Sequence, residues 1–78
     1  MGDFVSLCDL NVNDCCVVLK LNSSGIIRRR LMDMGVLPGS NIRCVLSSPS
    51  GNPKAYFVKG SVIAIRNSDA LDVEVDLL

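Results

Sequence analysis

The sequence predicts a mainly β protein, a small five-stranded barrel with one α-helix inserted after the first strand, and three observations carry that prediction. Five short segments rich in β-branched and aliphatic residues are separated by clusters of Asn, Asp, Ser, Pro and Gly. One stretch repeats its apolar residues at helical spacing, and it falls between the first and second of those segments. Finally, 78 residues with 49% hydrophobic content, one Tyr, two Phe and no Trp describe a single domain, 1–78, with a small aliphatic core. A strongly twisted sheet of this length encloses such a core best by curling on itself, which also removes exposed edges.

The first strand is expected over "CCVVLKL" (Cys15 to Leu21), after a short N-terminal segment "SLCDL" and the turn-forming "NVND". Alternation puts Val17, Leu19 and Leu21 on one face of it and Val18 and Lys20 on the other. Ser23 and Ser24 offer a hydroxyl to cap the helix that follows, in which Ile27, Leu31 and Met34 fall at i, i+4 and i+7 and make one apolar stripe. Gly35 ends it, as the residue that tolerates a left-handed backbone. Arg28, Arg29 and Asp33 lie off the stripe, with Arg29 and Asp33 at ion-pair spacing, while Arg30 flanks it.

"VLPGS" supplies a Pro-Gly turn at Pro38 and Gly39, and "NIRCVL" is the second strand, Ile42, Cys44 and Leu46 on one side and Arg43 and Val45 on the other. "SSPSGNPK" reads as an exposed loop. "AYFV" and "SVIAIR" are two more strands, joined by a tight reversal at Lys59 and Gly60. "NSDA" reads as a helical or β-turn, and "LDVEV" is the fifth strand, Leu71, Val73 and Val75 inward against Asp72, Glu74 and Asp76 outward.

Eight Lys and Arg balance eight Asp and Glu, so no global field draws the chain to nucleic acid or to an anionic membrane. No apolar run approaches the roughly 20 residues that span a bilayer, and the N-terminus lacks a signal-peptide pattern. The expectation is a cytoplasmic protein with no direct membrane insertion. Cys8, Cys15, Cys16 and Cys44 are then expected as reduced thiols filling small apolar positions. They form no C-x-x-C pair and the chain has no histidine, so the usual Cys and His frameworks for zinc are missing.

Catalytic chemistry finds little material. There is no histidine to act as general base, no Ser or Cys in a nucleophile motif, and no G-x-x-x-x-G-K-[ST] phosphate loop. A non-enzymatic protein without a cofactor is the expectation. A metal-responsive alternative would draw on Cys15, Cys16, Asp14 and Asp9, although neighbouring strand residues face opposite sides. Arg28, Arg29 and Arg30 form the densest positive charge in a neutral chain. They read either as a solvated helix face or as a docking patch for an acidic protein surface, with Met32 and Leu37 exposed beside them for apolar contact. Nucleic acid fits poorly, because single-strand binding adds stacking aromatics and phosphate binding spreads its basic residues over a face. A self-associating barrel is the remaining alternative.

The segment Arg30-Leu31-x-x-Met34-Gly35-x-x-x-Gly39, followed by Gly60-x-x-Ile63-Ala64-x-Arg66 and preceded by Leu7 and Leu10 at L-x-x-L spacing, resembles the FeoA family, small cytosolic proteins of bacterial ferrous iron uptake. The resemblance covers nearly the whole chain and implies an SH3-like barrel with a helix after its first strand. Within the motif, Leu31, Met34, Gly35, Gly39 and Gly60 are structural: they end the helix, dock it and turn the chain. The resemblance also implies a partner, the cytoplasmic region of the FeoB transporter, whose assembly, nucleotide cycle or gating the protein would modulate. The inserted helix and the loop at Ser48 to Pro53 are the surfaces expected to carry recognition. A related barrel forms the C-terminal domain of iron-dependent repressors of the diphtheria-toxin-repressor type. One corner departs from the family: Val12-Asn13-Asp14-Cys15 stands where Pro-Gly or Gly-Glu is common.

Overall fold

Alternating apolar segments build, in a computed structural model describing residues 4–78, a single curled antiparallel sheet with one substantial helix. The elements are β1 (Val5–Ser6), a 3-10 turn (Leu7–Asp9), β2 (Cys15–Leu21), α1 (Gly25–Asp33), β3 (Asn41–Ser47), β4 (Lys54–Val58), β5 (Ser61–Ile65), α2 (Asn67–Ala70) and β6 (Val73–Leu77). The strands lie in the order β1-β6-β2-β3-β4-β5.

The expected mainly β architecture and the helix position hold, with two corrections. Among the described residues there are six strands, since Val5 and Ser6 pair with Val75 and Glu74 of β6. A two-residue strand has no periodicity to read; Ser6 is instead held by its hydroxyl, which donates to the Leu71 carbonyl at 2.8 Å. The barrel is also not closed by hydrogen bonds, because β1 and β5 do not pair among the described residues.

Two bulges redirect the side chains. Val18 opposes Val75 but Lys20 opposes Glu74, so Leu19 is an extra residue in β2. Cys16, Val18 and Leu21 therefore face the core, and Leu19 is 50% exposed, against the expected grouping of Val17, Leu19 and Leu21 on one face. In β3, Val45 is the extra residue between Cys44, opposite Tyr56, and Leu46, opposite Ala55, and Leu46 is 64% exposed where alternation placed it with Ile42 and Cys44. The last strand begins two residues later than expected. Leu71 caps α2 and is 56% exposed, while Val73 and Val75 are buried as expected.

The core is filled by Ile42 and Cys44 of β3, Tyr56 and Val58 of β4, Ile65 of β5, Leu31 of α1, and Leu7 and Leu10 of the N-terminal turn. Two side chains of β4 tie that turn down. Lys54 Nζ donates to the carbonyls of Cys8 at 2.7 Å and Leu10 at 2.8 Å, and Tyr56 Oη donates to that of Leu7 at 3.4 Å. The ammonium thus meets carbonyls left free where the 3-10 turn ends.

Helix α1 ends in a Schellman arrangement. Val36 N–H donates to the Leu31 carbonyl at 2.9 Å and Gly35 N–H to that of Met32 at 3.0 Å, with Leu31 and Val36 both buried. Gly35 holds φ +96°, and a Cβ there would stand 3.1 Å from Lys59 Cδ and 3.3 Å from Val58 Cγ1. In the β4–β5 hairpin, Lys59 at φ 48° and Gly60 at φ 83° form the two-residue turn expected, with Val58 opposite Ser61.

Gly35→Ala is expected to lower unfolding stability by about 1–2 kcal/mol, read from urea denaturation. Lys54→Met, which keeps the stem and removes the ammonium, is expected to cost about 1–3 kcal/mol by leaving the two carbonyls unpaired.

Candidate functional site

The face singled out by sequence is carried on α1, whose seating decides what it presents. Ile27 and Met34 are half-buried against the core and flank the buried Leu31, as their spacing requires. The start of the helix differs from expectation. Ser24 is the N-cap residue but makes no side-chain cap, and Ser23 Oγ is buried without a hydrogen-bond partner.

Three consecutive arginines cannot share one patch on a helix, because each residue turns about 100° from the last. Arg28 and Arg29 line a shallow depression of about 320 Å³ with Gly25, Met32 and Asp33. Arg30 instead borders a second cleft, of about 370 Å³, between α1 and the β5–α2 segment. All three are exposed. Arg28 alone among them has a side-chain hydrogen bond within the described residues, from Nη1 to the Leu21 carbonyl at 3.1 Å, and the expected Arg29–Asp33 pair is not closed. Met32 is exposed on the Arg28 and Arg29 side. Leu37 is half-buried where it was expected to be exposed; the loop around it is closed by Ser40, whose hydroxyl donates to the Gly35 carbonyl at 2.9 Å and accepts from Leu37 N–H at 3.3 Å.

What sequence reading passed over is the far wall of the second cleft. Ala64 and Arg66 stand there with Ile65 and Asp69, facing Ile27, Arg30 and Met34. In the sequence, Ala64 and Arg66 are residues of the "SVIAIR" strand and of the family motif, with no sign of what they face. Their meeting with α1 is a contact between segments more than thirty residues apart in the chain, which local periodicity does not signal. The Ser48 to Pro53 loop is pinned by its own hydrogen bonds and by Asn67, whose Nδ2 donates to the Gly51 carbonyl at 2.9 Å. A third, largely apolar groove of about 520 Å³ lies on the outer sheet face among Cys15, Arg43, Phe57, Lys59 and Leu78.

The carboxylates considered for metal chemistry each accept one backbone hydrogen bond. Asp9 Oδ2 accepts from Ser6 N–H at 2.9 Å, and Asp14 Oδ2 accepts from Asn11 N–H at 2.8 Å. All four cysteines are free thiols, with Cys16 and Cys44 buried and Cys8 and Cys15 half-buried. Burial, with a smaller contribution from neighbouring Cys15, pushes the Cys16 thiol up to about 11. Burial raises Cys8, Cys44 and Tyr56 as well. Among the described residues no three Cys, Asp or Glu side chains stand together as a group that could hold a metal ion.

These features define a small SH3-like β domain whose distinctive surface is its inserted helix. The FeoA domain model matches residues 5–77, and the chain belongs to the FeoA domain family. It is 28% identical to an FeoA-like protein of Clostridium acetobutylicum, whose structure superposes with a TM-score of 0.89 over 100% of this chain and 91% of that one. The FeoA of Stenotrophomonas maltophilia, a prokaryotic SH3 domain protein solved in complex with zinc, is 30% identical with a TM-score of 0.82 over 92% of this chain and 89% of that one. A manganese-dependent transcriptional repressor shares the fold at 13% identity and a TM-score of 0.87, over 100% of this chain and 43% of that one. In Porphyromonas gingivalis a protein fusing Fe(2+) transport protein A to the Fe(2+) transporter FeoB is 29% identical over 72 residues; the match spans 92% of this chain and 8% of that relative. No helix among the described residues is long and apolar enough to cross a membrane.

The buried thiol sets a pH dependence. Unfolded, Cys16 ionises at its ordinary 9.0, whereas folded it keeps its proton to about 11. Below pH 9.0 this contribution is fully present, and it is lost as pH rises through that window, by on the order of 2 kcal/mol at the top. Denaturation midpoints are expected to fall between pH 9.0 and about 11, and to fall less steeply for Cys16→Ala.

Proposed function

We propose that this chain is a non-enzymatic, cytoplasmic interaction module of ferrous iron uptake, a single domain over 1–78, that binds the cytoplasmic region of a FeoB-type transporter and modulates its assembly, nucleotide cycle or gating. The observation that carries this reading is the Porphyromonas gingivalis relative, in which a matching segment and a FeoB transporter are one polypeptide. Joining two modules makes their contact intramolecular at an effective concentration that reaches the millimolar range for short linkers, so the contact itself can be weak. Where no linker joins the two modules, the same contact forms at the partner's free concentration. An interface below about 1,200 Å² suits such a transient partner.

On α1, the exposed Arg28, Arg29 and Met32 supply the two kinds of contact a docking patch needs. The cations steer an acidic surface into place, and the thioether adds apolar area beside them. Arg30 and Leu37, also proposed from sequence, lie outside that patch, Arg30 on the opposite flank of α1 and Leu37 half-buried in the loop beyond the helix, and contact the partner separately. Leu31, Met34, Gly35, Gly39 and Gly60 hold the helix and turns in position.

The test is a titration of isotope-labelled protein with the transporter's soluble cytoplasmic region in its GDP and GTP-analogue states. Saturable amide shifts are expected along Arg28 to Leu37, and the double change Arg28→Glu, Arg29→Glu is expected to weaken binding about tenfold, with the loss shrinking as salt is raised. No shifts at partner concentrations of hundreds of micromolar would refute direct docking.

A further inference from the structure

β5 ends the sheet, and among the described residues its outer edge has no partner strand. The hairpin fixes which of its backbone groups are free. Val58 and Ser61 flank the two-residue turn as a hydrogen-bonded pair, and pairing alternates from there. Val62 and Ala64, opposite Phe57 and Ala55, therefore turn their N–H and C=O groups away from β4. Neither makes a backbone hydrogen bond to another described element. Ser61-Val62-Ile63-Ala64-Ile65 contains no charge, proline or bulge, three of the devices that blunt an open edge.

The end of this edge, at Ala64 and Ile65, borders the cleft beside α1. Ile27 and Met34 give the cleft an apolar wall opposite Ala64 and Ile65. Arg30 and Arg66 stand around it, both exposed and neither hydrogen-bonded through its side chain to a described residue, with Asp69 as the one acid among the described residues. A strand edge beside a helix, over apolar side chains, is the geometry that accepts an extended peptide as an added strand. Main-chain bonds to Val62 and Ala64 would hold such a peptide, and alternate side chains would enter the cleft. Two cations against one anion favour a carboxylate on the incoming segment.

We propose that an extended, apolar, acid-bearing segment of the transporter partner docks as a seventh strand on β5, beside α1, with its carboxylate at Arg30 and Arg66; the inference rests on the partner reading above. It makes the cleft, and not the Arg28 and Arg29 face alone, a determinant of binding.

Ala64→Pro removes an outward N–H and leaves the β4 ladder intact, a position at which an edge strand tolerates proline. Arg66→Glu reverses one of the two charges without touching the backbone. Both variants and the unmodified chain are titrated with the soluble cytoplasmic region, and amide hydrogen exchange is followed at Val62 and Ala64. Each variant is expected to bind about tenfold more weakly, and both amides to exchange at least about tenfold more slowly in the complex. Should Ala64→Pro lose its native amide spectrum, Arg66→Glu and the exchange of the unmodified chain decide. Unchanged affinity in the variants with unprotected amides overturns strand addition while leaving docking intact, and no binding by the unmodified chain overturns both. Protection of the two amides at high protein concentration without partner would assign the edge to a second copy of this chain and overturn the proposal as well.

Discussion

The fold depends on two single-residue register shifts, at Leu19 in β2 and Val45 in β3. Without the first, Lys20 would stand opposite Val73 and Leu21 would turn to solvent. With it, Leu21 meets Val73 and both are buried. The second places Ser47 opposite Lys54, on the side from which the ammonium reaches the carbonyls of Cys8 and Leu10. A bulge also bends and twists its strand. The sheet therefore curls around its core without the β1–β5 pairing that would close it.

Among the described residues that incomplete closure leaves β5 as an open edge, and α1 stands beside its end at Ala64 and Ile65. The Schellman turn at Gly35 fixes where the helix stops, seating Leu31 and Val36 in the core and bringing Gly35 against Val58 and Lys59 next to the β4–β5 turn. Helix and hairpin are thereby held as neighbours, and the cleft between them is a product of rigid elements. Surfaces of that kind lose little conformational entropy on binding, which suits the weak docking proposed for this domain.

The arginine run shows how one stretch of sequence can mislead and inform together. As a line of text it is one basic cluster. Wrapped on a helix it serves two surfaces, Arg28 and Arg29 beside Met32, and Arg30 beside Arg66. Helical rotation foretells the division, but only the packing of α1 shows what each flank faces. Asp9 and Asp14, near Cys15 and Cys16 in the chain, are taken up by backbone N–H groups of their own turns.

By itself, the sequence determined the β class, the place of the helix, its apolar stripe at Ile27, Leu31 and Met34, its end at Gly35, and the hairpin at Lys59 and Gly60. These are local properties, set by side-chain periodicity and by the few residues that accept positive φ. Tertiary structure alone decided the six-strand order, the bulges, the solvent exposure of Leu19, Leu46 and Leu71, and the cleft that joins Arg30 to Arg66. A strand's alternation survives any one-residue slip with its faces exchanged, so register becomes fixed only when neighbouring strands bring their own buried residues to it. A site between distant segments has no period at all, and it comes into being when the sheet curls far enough to set β5 beside α1.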